Sequence, residues 1–320
     1  MELDKINIEK ELKIVFMGTP EFAVPVLSML IKNYNVRAVV TQPDKLVGRN
    51  QELVYSPIKK LANDNTILVL QPNKIREEYQ EILDLNPDLI VTCAYGQIIP
   101  KKLLDAPKYG CINVHASLLP KLRGGAPINR AIMNGHSKTG ITIMYMNEAM
   151  DDGDIIAKEE VIIEDTDTAS SLHDKLSILG SNLLEKTLPS ILNGTNDRIP
   201  QNNYEATYAP IIKRTDERID FSKTKREVNN LIRGLYSYPG AYSIYNGKIL
   251  KIWKSRISSE YPMGINGEIT NIYDDGFGVK VSNGEIVVLE VQLEGKKKVS
   301  AKDFINGELN KGEIIGKVLE

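Results

Sequence analysis

The chain has 320 residues, 42% hydrophobic and 26% charged, with a formal net charge of -2; this argues against wholesale disorder and exceeds the usual span of one hydrophobic core, so two domains are expected. No apolar run approaches the roughly 20 residues that cross a bilayer, and the start "MELDKINIEKELK" reads as too charged for a signal peptide and too acidic for a transit peptide. Cys93 and Cys111 are the sole cysteines and both lie in apolar runs, so a disulfide framework is not expected; the reading is a cytoplasmic monomer with no membrane partner.

The first two hundred residues repeat a strand-then-helix rhythm. "LKIVFMG" is a continuous apolar run of the kind found in strands buried on both faces, and "TPEFAVPVLSMLIKN" follows as a helix, with Thr19 as its expected cap and Pro20 in its first turn. Further strands are expected in "VRAVVTQ", "TILVLQ", "DLIVTCAYG", "GCINVHA" and "GITIMYM", with helices in "IREEYQEILDLN" and "PINRAIMNG". Alternation of this kind predicts an α/β domain with a mostly parallel, doubly wound sheet, in which ligands bind beyond the carboxyl ends of the strands. "SSLHDKLSILGSNLLEKTLPSILNG" reads as one long amphipathic helix closed by Gly194.

The polar, proline-containing stretch at 194–208 then reads as a linker, dividing a domain at 1–193 from one at 209–320. Beyond it come short strands and Asn-Gly pairs at 246, 266 and 283, the punctuation of hairpins, so a smaller β-barrel or sandwich is expected. Trp253 is expected in its core, although a base-stacking role is the alternative. From Ala209 onward the chain is mildly basic, with 18 basic and 15 acidic residues, which permits an RNA partner without requiring one.

Asn113 and His115 are two residues apart, so on a strand they share a face while Ile112 and Val114 point the other way. A lone histidine at a strand end is more often structural. The next strand adds weight, because "GITIMYM" leads into a turn holding Asp151, Asp152 and Asp154, and parallel neighbours would deliver their end loops to one rim. An amide, an imidazole and a carboxylate at one rim can stabilise an oxyanion and move a proton, which is the chemistry of acyl-type transfer to a nucleophile. Periodicity does not choose among the three acids. "FMGTPEF" lacks both GxGxxG and a P-loop, and histidines at 115, 136 and 173 with two scattered cysteines give no zinc spacing, so metal-free chemistry is expected.

"NVHASLLPKLRGGAPI" followed by "MDDGD" resembles the signature of formyltransferases that use 10-formyltetrahydrofolate, and "FMGTPEFA", "TQPDKLVGR", "AYGQIIP" and "TGITIMYM" extend the likeness over nearly the whole chain. The resemblance implies a Rossmann-like catalytic domain followed by an OB-like tRNA-binding domain, with 10-formyltetrahydrofolate as formyl donor and initiator methionyl-tRNA as acceptor. It also implies that Asn113, His115 and Asp151 are catalytic, and that Ser117, Leu118, Leu119 and Pro120 line the folate site. Lys45 and Arg49 fall in a loop similar to one that reaches the tRNA acceptor arm. Two departures stand out: "NQEL" follows Arg49 where the family often has Gly-Lys-Lys, and Asp152 replaces a small residue beside Asp151.

Overall fold

The computed structural model describes residues 12–47, 51–309 and 314–320. Two compact units are present, one holding residues up to Pro127, Thr139–Val161 and His173–Pro210, the other Ile128–Lys138, Ile162–Leu172 and Ile211–Glu320. In chain order the elements up to residue 193 are β1 (Lys13–Gly18), α1 (Val24–Asn33), β2 (Asn35–Val40), β3 (Lys45–Val47), β4 (Glu52–Val54), α2 (Pro57–Asp64), β5 (Leu68–Leu70), α3 (Gln80–Asp84), β6 (Leu89–Cys93), α4 (Lys101–Asp105), β7 (Cys111–His115), α5 (Pro127–Met133), β8 (Lys138–Tyr145), β9 (Ile155–Ile162) and α6 (Ala169–Asn193). They build a seven-stranded sheet of order β5-β2-β1-β6-β7-β8-β9, parallel from β5 to β7.

In β1, Ile14, Val15, Phe16 and Met17 are all fully buried, as a strand covered on both faces requires. Val15 and Met17 join Val40, Ile90, Tyr95, Leu103 and Cys111 in one apolar layer. Behind β7, Val114 meets α6 at Gly180, where a Cβ would lie 2.9 Å from Val114 Cγ1, so only glycine allows that approach without a shift. Gly194, with φ +68°, follows the last turn of α6 as its sequence position suggests.

Several local expectations are corrected. Thr19 does not cap a helix: its hydroxyl donates to Tyr95 O (3.3 Å), and Pro20 occupies the N-cap of a short 3-10 turn at Glu21–Ala23. The helix read in "IREEYQEILDLN" shrinks to Gln80–Asp84, because the Ile75 N–H is taken by Gln97 Oε1 and Asn73 N–H by Glu78 Oε2. β9 has no counterpart among the expected strands, and the register of β7 with β8 is antiparallel, Ile112 facing Tyr145 and His115 facing Thr142. The stretch 194–208 is hydrogen-bonded along the first unit, with Ile199 paired to Ile155 and Tyr208 bridged to Arg123.

The second unit adds α7 (Lys225–Gly234), β10 (Ala241–Tyr245), β11 (Lys248–Ile257), β12 (Ile269–Ile272), β13 (Phe277–Val281), β14 (Gly284–Leu293), β15 (Val299–Ser300) and α8 (Ala301–Leu309). α7 starts in a capping box: Thr224 Oγ1 accepts from Glu227 N–H while Glu227 Oε2 accepts from Thr224 N–H. The strands run in the order β10-β11-β14-β13-β12, with β15 on β14. Its two edges are bridged by the tail, since Glu320 pairs with Ile244 beside β10 while Lys317 O accepts from Ile269 N–H on β12. Closure of this kind removes exposed edges and gives the OB-like barrel. Asn246-Gly247 forms the two-residue β10–β11 hairpin loop, whereas Ser282-Asn283 forms that of β13–β14, one position earlier than the Asn-Gly pair. Trp253 is not in the barrel core: on β11 it shares the outer face with Lys251, is half-buried, and donates from Nε1 to Gln292 Oε1 at 3.2 Å. The core is filled by Leu250, Ile252, Phe277, Val279, Ile286 and Val288 instead.

Candidate active site

β7 positions two of the expected residues by strand period alone. Ile112 and Val114 are buried on one face, while Asn113 and His115 project from the other. The Thr92 hydroxyl on β6 donates to Asn113 Oδ1 at 2.8 Å, so the amide nitrogen Nδ2 is the group left to donate elsewhere. His115 is 6% exposed, and its Nε2 lies 3.1 Å from Leu122 O. A carbonyl only accepts, so Nε2 carries the proton there and Nδ1 is the nitrogen whose protonation can change.

That nitrogen faces an acid. Asp151 Oδ2 stands 3.7 Å from His115 Nδ1 and accepts the Gly124 backbone N–H at 2.8 Å. Because β8 is antiparallel, its carboxyl end lies at the start of β7, not at its end. The loop after β8 therefore doubles back along the Asn113–His115 face to bring Asp151 to the imidazole. Asp151 adopts φ +51°, an uncommon conformation that asparagine and aspartate tolerate best. Gln201 Nε2 braces it by donating to Asp151 O and Gly153 O, both at 2.8 Å. Gly153 is required by space: a Cβ there would lie 1.9 Å from Tyr145 O.

Periodicity left three acids open, and their partners separate them. Asp154 Oδ2 pairs with Arg198 Nε at 3.1 Å, and Asp152 Oδ1 with Arg123 at 2.7 Å, leaving Asp151 beside the histidine. Asp152 is thus matched to a guanidinium.

Residues 117–120 form the turn leaving β7. Ser117 is fully buried and donates to Lys121 O at 2.6 Å, and Leu119 packs with Met144 and Ile155. Leu118 and Pro120 are the members left partly exposed. Thr142 pins this turn from β8, donating to Ser117 O (2.7 Å) and accepting from Leu119 N–H (3.1 Å). Lys45 is exposed on the separate β3–β4 ribbon, whose Leu46 and Leu53 are also more than half exposed; Arg49 lies outside the described residues. Among the described residues, no cluster of three His, Cys, Asp or Glu is arranged to hold a metal ion. Nor is any helix among the described residues long and apolar enough to cross a membrane.

Thr92, Gln201 and the backbone of Leu122 and Gly124 were not singled out in the sequence. A threonine in an apolar strand and a glutamine in a polar stretch carry no local signal of such roles.

Residues 12–188 match the family model described as formyl transferase, and residues 211–309 match that of the formyl transferase C-terminal domain. The chain belongs to the formyl transferase family. Relatives within it include the methionyl-tRNA formyltransferase of Geobacillus sp. (strain WCH70), 51% identical over 92% of this chain and 94% of that one. The methionyl-tRNA formyltransferase of Bacillus subtilis (strain 168) is 50% identical over 95% of this chain and 98% of that one. Among solved structures, an N-formyltransferase from Helicobacter canadensis, in complex with folinic acid and dTDP-3-aminofucose, superposes with a TM-score of 0.66 at 25% identity, covering 87% of this chain and 98% of that chain. His115, with Asn113 on the same strand face and Asp151 3.7 Å away, lies within the part of the chain that matches the formyl transferase model.

Proposed function

We propose that this formyl transferase moves the formyl group of 10-formyltetrahydrofolate to the amino group of methionine on initiator methionyl-tRNA, giving N-formylmethionyl-tRNA in the cytoplasm. The acceptor is supported by relatives of that name, about half identical over nearly the full length of both chains. The chemistry is carried by one observation, the approach of Asp151 Oδ2 to within 3.7 Å of His115 Nδ1.

In this reading the methionine nitrogen bonds to the formyl carbon as the bond from that carbon to the folate nitrogen breaks. Asn113 Nδ2 and the protonated Nδ1 of His115 donate to the formyl oxygen as negative charge develops on it. Asp151 stabilises the imidazolium across the gap and assists transfer of the amine proton toward the departing nitrogen. At 3.7 Å the acid orients the ring while leaving Nδ1 open to a substrate atom. Leu118 and Pro120 would line the folate rings with their exposed faces, and Ser117 and Leu119 shape that turn from behind. Lys45 and Arg49 would contact RNA phosphates, a sequence-independent and salt-sensitive contribution.

A second acceptor class is raised by the Helicobacter canadensis structure, which holds an amino-sugar nucleotide. An assay with labelled formyl donor and three acceptors in parallel, methionyl initiator tRNA, glycinamide ribonucleotide and an amino-sugar nucleotide, tests both readings. Label on the tRNA alone is expected; label on either small acceptor alone overturns the assignment.

A further inference from the structure

Arg123 is 4% exposed, and a buried guanidinium is destabilising unless it is paired and hydrogen-bonded. Here its Nη2 pairs with Asp152 Oδ1 at 2.7 Å and donates to Asn203 Oδ1 at 2.8 Å, while Nε and Nη2 donate to Gln201 Oε1 at 3.1 and 2.7 Å. Asp152 is the sole anion in that set. The amide of Gln201 is thereby oriented, oxygen toward Arg123 and nitrogen toward the carbonyls of Asp151 and Gly153.

The position of Arg123 in the chain matters as much as its contacts. Its preceding residue offers the carbonyl that accepts from His115, and its following residue offers the N–H bound by Asp151. Leu122 and Gly124 both have positive φ, +60° and +119°, so the backbone turns sharply on either side of it. The main chain of Arg123 is itself fixed, its N–H donating to Thr207 O at 2.9 Å and its carbonyl accepting from Ala209 N–H at 2.7 Å.

We propose that Arg123, Asp152 and Gln201 are positioning residues for formyl transfer, a charge-neutral clamp that sets the Asp151 carboxylate against the His115 ring. Arg123 grips the acidic turn twice, through the Asp152 side chain and through Gln201 on the backbone of Asp151 and Gly153. The same residue is flanked by Leu122 and Gly124, whose backbone groups touch His115 and Asp151. Loss of the clamp leaves both reacting side chains in place but releases their relative geometry, and displacements of about 1 Å at such sites lower rates by up to about 100-fold.

This inference rests on the proposed reaction, and the test separates the two. Steady-state transfer to methionyl-tRNA is measured for the full chain and for D152A, D152N and Q201L, with thermal unfolding and the NMR resonance of the His115 ring followed for each. D152A is expected to lower kcat about tenfold with KM for both substrates within about twofold, and to displace the His115 resonance. D152N, which keeps an oxygen for Arg123, is expected to restore kcat to within about threefold of the parent. Q201L cuts the second grip without touching the ion pair; it is expected to lower kcat similarly, and the double variant to lose less than the product of the single losses. Full kcat in folded D152A and Q201L, or a loss confined to thermal stability or KM, overturns the clamp. An inactive parent protein overturns the reaction, and an unmoved His115 resonance in the variants would then overturn the clamp independently. If D152A does not fold, Q201L decides by the same readouts.

Discussion

Gly124 donates its backbone N–H to Asp151 Oδ2 at 2.8 Å, two residues along the chain from Leu122, whose carbonyl lies 3.1 Å from His115 Nε2. One short segment therefore touches both partners of the acid–imidazole pair, and this arrangement sets the outcome of several substitutions.

Asp151→Asn keeps an oxygen to accept from Gly124 but removes the charge facing His115 Nδ1. Turnover is expected to fall by about 100-fold or more, with an unchanged circular dichroism spectrum and unfolding midpoint. Near-normal kcat in this variant would remove Asp151 from the mechanism.

Thr92→Val removes the hydroxyl that holds Asn113 Oδ1 while preserving the size of the side chain. The freed amide samples both orientations, so kcat is expected to drop about fivefold, with Thr92→Ser close to the parent enzyme. Equal rates for the valine and serine variants would show that the hydroxyl does not orient the amide.

Gly153→Ala places a methyl group 1.9 Å from Tyr145 O, a distance that forces the acidic turn to move. The expected outcome is a loss of about 2 kcal/mol or more in urea unfolding together with most of the turnover. A variant as stable and active as the parent would show that the turn can move freely, against the bracing described for it.

Glu285, in the barrel, is fully buried and takes part in no proposed chemistry. Burial pushes its carboxyl up, but hydrogen bonds from Thr270 (2.6 Å), Tyr273 (2.5 Å) and Asn271 (2.9 Å) outweigh it and hold the group below its ordinary value of 4.5. A depressed carboxylate stabilises the fold fully above its unfolded value and loses that contribution as pH falls through the folded one. Glu285→Gln is expected to cost about 1–3 kcal/mol near neutral pH, with the gap to the parent narrowing below pH 4.5, measured by urea unfolding across pH. A gap that stays constant with pH would show that the carboxylate charge is not the stabilising feature.

Much of this was legible along the chain because it is written in short-range period. The apolar runs of β1, β6 and β7 read directly as buried strands, α6 declares itself by its stripe and Gly194, and the spacing of Asn113 and His115 places them on one face whatever the tertiary context. The family likeness singled out Asp151 from its neighbours; in the structure it is Asp151 that stands beside His115, while Asp152 and Asp154 are each paired with an arginine.

What the chain did not disclose depends on partners remote in sequence. The direction of β8 follows from which edge of the sheet it finds, and an apolar run looks alike in either direction; its antiparallel entry reroutes the acidic loop across β7. Arg123 meets Gln201 78 residues on, and neither residue carries a local mark of the other. Residue order thus determined the layers, the strand faces and the kinds of side chain available. Tertiary structure alone decided by what route the carboxylate reaches the imidazole and what holds it there, because a hydrogen bond depends on distance in space and strand periodicity carries no information about it.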